Sequence, residues 1–96
     1  MLDIRPVCEH CKKLLPYDST EAYICSFECT YCADCALTLF QNVCPNCGGG
    51  FMQRPVRPKR LLEKYPPVEE KIYHPVNMEK HQAMLARYLD IPAEKR

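Results

Sequence analysis

Cys25-Ser26-Phe27-Glu28-Cys29-Thr30-Tyr31-Cys32-Ala33-Asp34-Cys35 sets two cysteine pairs almost back to back, and how their sulfurs are shared decides the fold. The first pair is C-x3-C, the second is C-x2-C, and only Thr30 and Tyr31 separate them. Working outward, two further C-x2-C pairs stand on either side, Cys8/Cys11 and Cys44/Cys47, and the second half of the chain has no cysteine. Such spacing lets two sulfurs reach one ion from a tight turn. Zinc(II) takes four thiolates in a tetrahedron, so 8 cysteines make two closed four-cysteine sites with no ligand missing. The expected cofactor is therefore Zn2+, two per chain.

A chain of 96 residues holds one small domain and an appendage, and a core of that size needs a staple. Disulfides would supply one in an oxidising compartment. Met1-Leu2-Asp3-Ile4-Arg5-Pro6 carries an acid and a proline where a secretory signal would be apolar, so the expected compartment is the cytoplasm. There thiols stay reduced and paired C-x2-C spacing means metal. No apolar run approaches the ~20 residues of a membrane span, so no membrane role is expected.

The formal charge of +1 hides an asymmetry. Asp3, Glu9, Asp18, Glu21, Glu28 and Asp34 make the cysteine half acidic, and two zinc ions on eight thiolates add roughly four negative charges. Most Lys and Arg lie in the second half. A nucleic-acid binder more often shows basic residues around its zinc sites.

Three segments follow from the pattern. Residues 6–53 form the metal domain. Within it Ala22-Tyr23-Ile24 is a strand candidate, Ala33–Asn42 a helix presenting Leu37 and Phe40 inward, and Phe51-Met52 the start of a closing strand. Gly48-Gly49-Gly50 gives the last knuckle freedom to turn. Residues 54–76 are a linker, extended and basic through Arg54-Pro55-Val56-Arg57-Pro58-Lys59-Arg60, with a short helix over Lys59–Tyr65 that stops before Pro66-Pro67. Residues 77–91 carry an amphipathic helix, capped by Asn77, favoured at its start by Glu79 and ended before Pro92. Its stripe is Met78, His81, Met84, Leu85, Tyr88 and Leu89, to be buried on the face around Tyr23, Phe40 and Phe51 or against a second copy of the chain.

Two pairings of the sulfurs are open. A sequential scheme groups Cys8, Cys11, Cys25 and Cys29, then Cys32, Cys35, Cys44 and Cys47. An interleaved scheme groups Cys8, Cys11, Cys32 and Cys35 (zinc 1), with Cys25, Cys29, Cys44 and Cys47 (zinc 2). The two-residue gap from Cys29 to Cys32 favours interleaving, because a sequential scheme sets two doubly negative centres nearly in contact. The spacing resembles the RING finger, whose fourth ligand is commonly histidine where this chain has Cys29. Tyr31 stands where RING fingers carry an aromatic, and Cys44-Pro45-Asn46-Cys47 resembles their final knuckle. That resemblance, over about Val7 to Gly48, implies a small zinc-stabilised α+β fold, RING-like or treble-clef, with cross-braced sites. The run from Pro16 through Cys32, with Cys44-Pro45-Asn46-Cys47-Gly48-Gly49, also resembles a family of small bacterial cysteine-rich proteins of unassigned function.

Four thiolates leave a zinc ion no open position for water, so no enzyme is expected. His10 is expected as an exposed knuckle residue, and His74 and His81 at solvent or on a helix face. Ubiquitin-ligase activity, which the RING resemblance would import, lacks its residues: the first knuckle carries Glu9-His10, there is no Trp, and Gly48 follows the last ligand. The expected function is a non-catalytic scaffold or adaptor that binds another protein. The alternative is a nucleic-acid-binding accessory protein acting through Arg54, Arg57, Lys59 and Arg60, with Tyr65 nearby. Zinc buffering or thiol redox sensing forms a third class.

Overall fold

Tyr23, Ile24, Thr30 and Tyr31 are aromatic or β-branched, and they build the centre of the sheet. In the computed structural model, which describes the chain from Met1 to Arg96, strands β1 (Ala22–Ile24) and β2 (Thr30–Cys32) pair antiparallel, with Ala22 opposite Cys32 and Ile24 opposite Thr30. The Cys25–Cys29 loop is their turn: the Glu28 amide donates to Cys25 O (3.0 Å), and Glu28 takes a left-handed φ of 66°. Strand β3 (Met52–Gln53) adds to the other edge of β1, giving the order β2-β1-β3. It starts one residue later than the sequence suggests, because Phe51 is drawn into the core.

The helix expected over Ala33–Asn42 is shorter and wider. It spans Asp34–Leu39, and the Phe40 amide closes it onto Cys35 O (2.8 Å), an i→i+5 bond. That widening corrects the expected inward face. In an i→i+5 turn, residues four and five apart share a side, so Ala36 and Phe40 go inward while Leu37 is 43% exposed. Gln41 and Asn42, at φ 51° and 61°, end the turn, and Asn42 Oδ1 accepts from the Phe51 amide (2.8 Å). Phe40 then sits at the middle of an edge-to-face aromatic cluster. Its ring centroid is 5.0 Å from Tyr31, 5.3 Å from His10 and 4.9 Å from His81, and Tyr31 is 5.6 Å from Phe51.

Residues 54–76 lie along the N-terminal segment as a strap. The His74 amide donates to Glu9 O (2.8 Å), and the Val68 amide to Ile4 O (2.9 Å). Arg57 donates to Leu2 O (2.6 Å) and Tyr65 O (2.8 Å). Arg54, which the sequence offers as a phosphate contact, is 1% exposed and donates to the carbonyls of Arg5, Leu15 and Pro16 at 2.8–3.0 Å. Its charge is spent inside the molecule because Arg5 ahead of the first knuckle, and Leu15 and Pro16 after it, present carbonyls to it. The helix expected over Lys59–Tyr65 is a single tight turn at Lys59–Leu61, continued by the Tyr65 amide donating to Leu61 O.

Helix α1 (Met78–Tyr88) begins where Asn77 caps it, Oδ1 accepting from the Glu79 (2.9 Å) and Lys80 (3.3 Å) amides. It docks on its own domain. His81 and Leu85 are buried, and Met78, Met84 and Tyr88 are half-buried. Leu89, expected within the buried stripe, is 42% exposed, since it lies past the last helical residue and past the domain surface. His81, expected at solvent or on the face of the helix and counted in its stripe, is on that face and 1% exposed against Phe40, with its Nε2 3.2 Å from Phe40 O. His10 is likewise part-buried, its Nδ1 accepting from the Val76 amide (2.9 Å). No helix of the chain is long and apolar enough to cross a membrane.

Candidate metal centres

The first and fourth cysteine turns share one geometry. In each, the residue after the second cysteine donates its amide back to the first cysteine's carbonyl: Lys12 to Cys8 O (3.0 Å) and Gly48 to Cys44 O (2.8 Å). Both residues are left-handed, at φ 65° and 78°. Glycine adopts that conformation freely. At position 48 it is also needed for space, because a Cβ would come within 2.7 Å of the Tyr88 ring.

The sheet then decides which turns meet. Cys29 precedes β2 at the hairpin end, and Cys32 closes β2 at the other end. Three residue steps of extended chain set them roughly 10 Å apart. Cys32 and Cys35 accordingly join Cys8 and Cys11, all four Sγ atoms lying within 4.8 Å of one another. Cys25, Cys44 and Cys47 converge equally closely. Cys29 adjoins them, its thiol within hydrogen-bonding reach of Cys25 and Cys44. The first and third pairs therefore form one cluster, and the second and fourth form the other.

Both clusters suit a thiophilic ion. Tetrahedral zinc with Zn–S bonds near 2.3 Å sets its sulfurs about 3.8 Å apart. Cys11 Sγ and Cys32 Sγ are 3.7 Å apart, and all eight cysteines are free thiols. The electrostatics point the same way. Hydrogen bonds from the Cys29 and Cys44 thiols, with help from the Phe27 and Cys29 amides, pull Cys25 down to about 3. Cys44 is pushed well up by the same contacts with Cys25 and Cys29, and burial then adds to the shift. Burial raises Cys35 and Cys32; at Cys11 it is outweighed by the Lys13 amide and the thiols of Cys8, Cys32 and Cys35, which lower it. Cys11 in one cluster and Cys25 in the other ionise more readily, and Cys32, Cys35 and Cys44 resist, because thiolates this close repel one another. A bound dication removes that repulsion.

Around the sulfurs lie donors that the cysteine spacing does not signal. Asn46 Nδ2, the Phe27 amide and the Gly49 amide each sit 3.4 Å from a sulfur of the second cluster, on Cys29, Cys25 and Cys47 respectively. Glu9, read from sequence as part of an acidic surface, is buried; it pairs with Arg5 (2.8 Å) and accepts from the Thr30 amide, tying the first knuckle to β2.

All eight sulfurs fall within residues 1–57, which match a family described as a protein of unknown function (DUF1272). The chain belongs to the DUF1272 family. The match ends at Arg57, so the strap beyond it and α1 lie outside the DUF1272 region. An uncharacterised protein of Rhizobium meliloti (strain 1021), R02474, is 52% identical over 75 residues, covering 78% of this chain and 89% of that protein. No solved structure matches the chain.

Proposed function

We propose that the chain binds two zinc ions, one on Cys8, Cys11, Cys32 and Cys35 and one on Cys25, Cys29, Cys44 and Cys47, in a RING-like or treble-clef cross-brace, and works as a non-catalytic protein-binding scaffold. The observation that carries this is the convergence of free thiols into two clusters, Cys8, Cys11, Cys32 and Cys35 in one and Cys25, Cys44 and Cys47 in the other with Cys29 adjoining, together with the 3.7 Å between the Cys11 and Cys32 sulfurs. Four thiolates saturate each ion, leaving no position for a substrate or a water. Zinc is preferred over other soft ions because closed tetrahedral four-thiolate sites are its commonest structural form.

Protein binding is supported over nucleic-acid binding by the fate of the basic stretch. Arg54 and Arg57 are held on backbone carbonyls, which leaves Lys59 and Arg60 exposed. Several large apolar side chains of the metal half face solvent instead: Phe27 on the second knuckle, Leu14, Leu37 and Met52. Affinity purification from the native host, with and without nuclease, tests the choice. Partners retained after nuclease and lost in Phe27→Ser support the scaffold, and partners lost on nuclease treatment support the nucleic-acid alternative.

A further inference from the structure

We propose that the two centres have different jobs: Cys8/Cys11/Cys32/Cys35 is an exchangeable zinc site that hands its ion to a thiolate-bearing acceptor through Cys11, and Cys25/Cys29/Cys44/Cys47 is the retained, structural site. The inference rests on the two-zinc reading above and adds a division between the ions.

Three independent features separate the centres. The first is access. Cys11 is the only exposed cysteine; Cys47 is half-buried and the rest are buried. Exposure continues through Lys12, Lys13 and Leu14, so one edge of the first centre faces solvent. Glu9 and His10, on the inner side of the same knuckle, stay anchored to Thr30 and Val76. Cys11 can therefore leave while Cys8 holds its place.

The second feature is hydrogen bonding to sulfur. Thiolates held by N–H donors are poorer leaving ligands, because each donor stabilises the bound geometry. Three sulfurs of the second centre have such donors at 3.4 Å, including the Asn46 side chain. At the first centre only backbone amides do so, Lys13 on Cys11 and Cys35 on Cys32, and no side chain donates; Cys11 Sγ abuts Cys32 Sγ.

The third feature is bracing. The fourth knuckle lies beneath the tail: the Tyr88 ring covers Gly48, and Arg96 Nη1 donates to Asn42 O (2.7 Å) and Gly48 O (3.3 Å). The exposed edge of the first knuckle is held by lighter contacts, Lys13 to Glu21 (2.6 Å) and Lys12 over the Tyr73 ring (4.4 Å).

In the exchange step the acceptor's thiolate forms a sulfur–zinc bond as the Cys11–zinc bond breaks. Cys11 departs as a thiolate and takes a proton from solvent; no oxidation state changes. Repetition at Cys35, Cys32 and Cys8 completes the transfer.

The full chain loaded with two equivalents of zinc provides the test. It is challenged with 4-(2-pyridylazo)resorcinol while iodoacetamide labels freed thiols, and peptides are mapped by mass spectrometry. The proposal expects one equivalent released about 10- to 100-fold ahead of the other, with the first alkyl group on Cys11. Asn46→Ala should speed the slow phase and leave the fast one alone. Release of both equivalents in one phase, or labelling of Cys25, Cys29, Cys44 or Cys47 together with or before Cys11, overturns the division. Fewer than two equivalents in freshly purified protein would overturn the two-zinc reading itself, before exchange is in question.

Discussion

Arg54 shows how far one side chain can depart from its local setting. Within a basic, proline-punctuated stretch it looks like a solvent-facing cation, yet it joins β3 to the N-terminal segment and to the loop after the first knuckle. Burial lowers its pKa, and the guanidinium, which stays charged in proteins, is held there by carbonyl dipoles. Arg54→Ala should destabilise the chain by about 2–4 kcal/mol, since hydrogen bonds to a buried charge are the strong ones. Arg54→Lys should recover little, because one ammonium cannot span three carbonyls. The midpoint of a denaturant titration measures both. His81 is the second such residue. Desolvation lowers its pKa although its contact with Phe40 O opposes the shift, and its Nδ1 is buried with no partner. A histidine depressed in the folded state is more readily protonated once released. The docking of α1 is then fully present above the ordinary imidazole value of about 6.5 and weakens as pH falls below it. His81→Gln keeps a donor for Phe40 O and cannot titrate. Following α1 by circular dichroism between neutral and mildly acidic pH should show a transition in the parent that is absent from this variant.

Among the elements, α1 is the one whose stability comes from elsewhere. Eleven residues are marginal as an isolated helix even with a good cap, so its order depends on His81 and Leu85 against the Phe40 side of the domain. Leu85→Asp removes roughly 1.5–3 kcal/mol of burial and places a charge there. The expected result is a frayed tail on a monomer of unchanged elution volume. A shift to smaller size on a sizing column would instead mean that α1 also joins two copies. Gly48→Ala probes the same contact from below. It forces a side chain into the left-handed region and against the Tyr88 ring, so about 1–2 kcal/mol should be lost and the end of α1 loosened. Circular dichroism and thermal melting of both variants give the answer.

At the scale of the whole molecule the two clusters, loaded with zinc as proposed, would be the staple. Apparent zinc contributions on the order of 10 kcal/mol per site exceed what so small a core supplies. Chelation should therefore unfold the sheet and, with Phe40 gone as a platform, α1 as well. Elemental analysis should return two zinc ions per chain, and each single Cys→Ser variant should lose most of the binding at its own cluster. The spacing of the cysteines is enough to name every sulfur and to count two groups, because the chemistry of a thiol is carried by residue type at short range. Asn77 as a cap and Ala22–Ile24 as a strand are legible for the same reason: a cap and a β-rich triplet act within a few residues of themselves. Other features depend on contacts between residues far apart in the chain. The ~10 Å length of β2, and nothing inside any one knuckle, is what parts Cys29 from Cys32. The turn of Phe40 inward and Leu37 outward comes from i→i+5 bonding closed on Cys35, a cysteine whose position is set by Cys8 and Cys11. Arg54 and His10 are covered by segments 38 and 66 residues away, and distances of that length leave no periodicity to read. What the sequence determined alone is the chemistry of the sulfurs; which surfaces remain open to solvent was decided by the way the strap and α1 close over the domain.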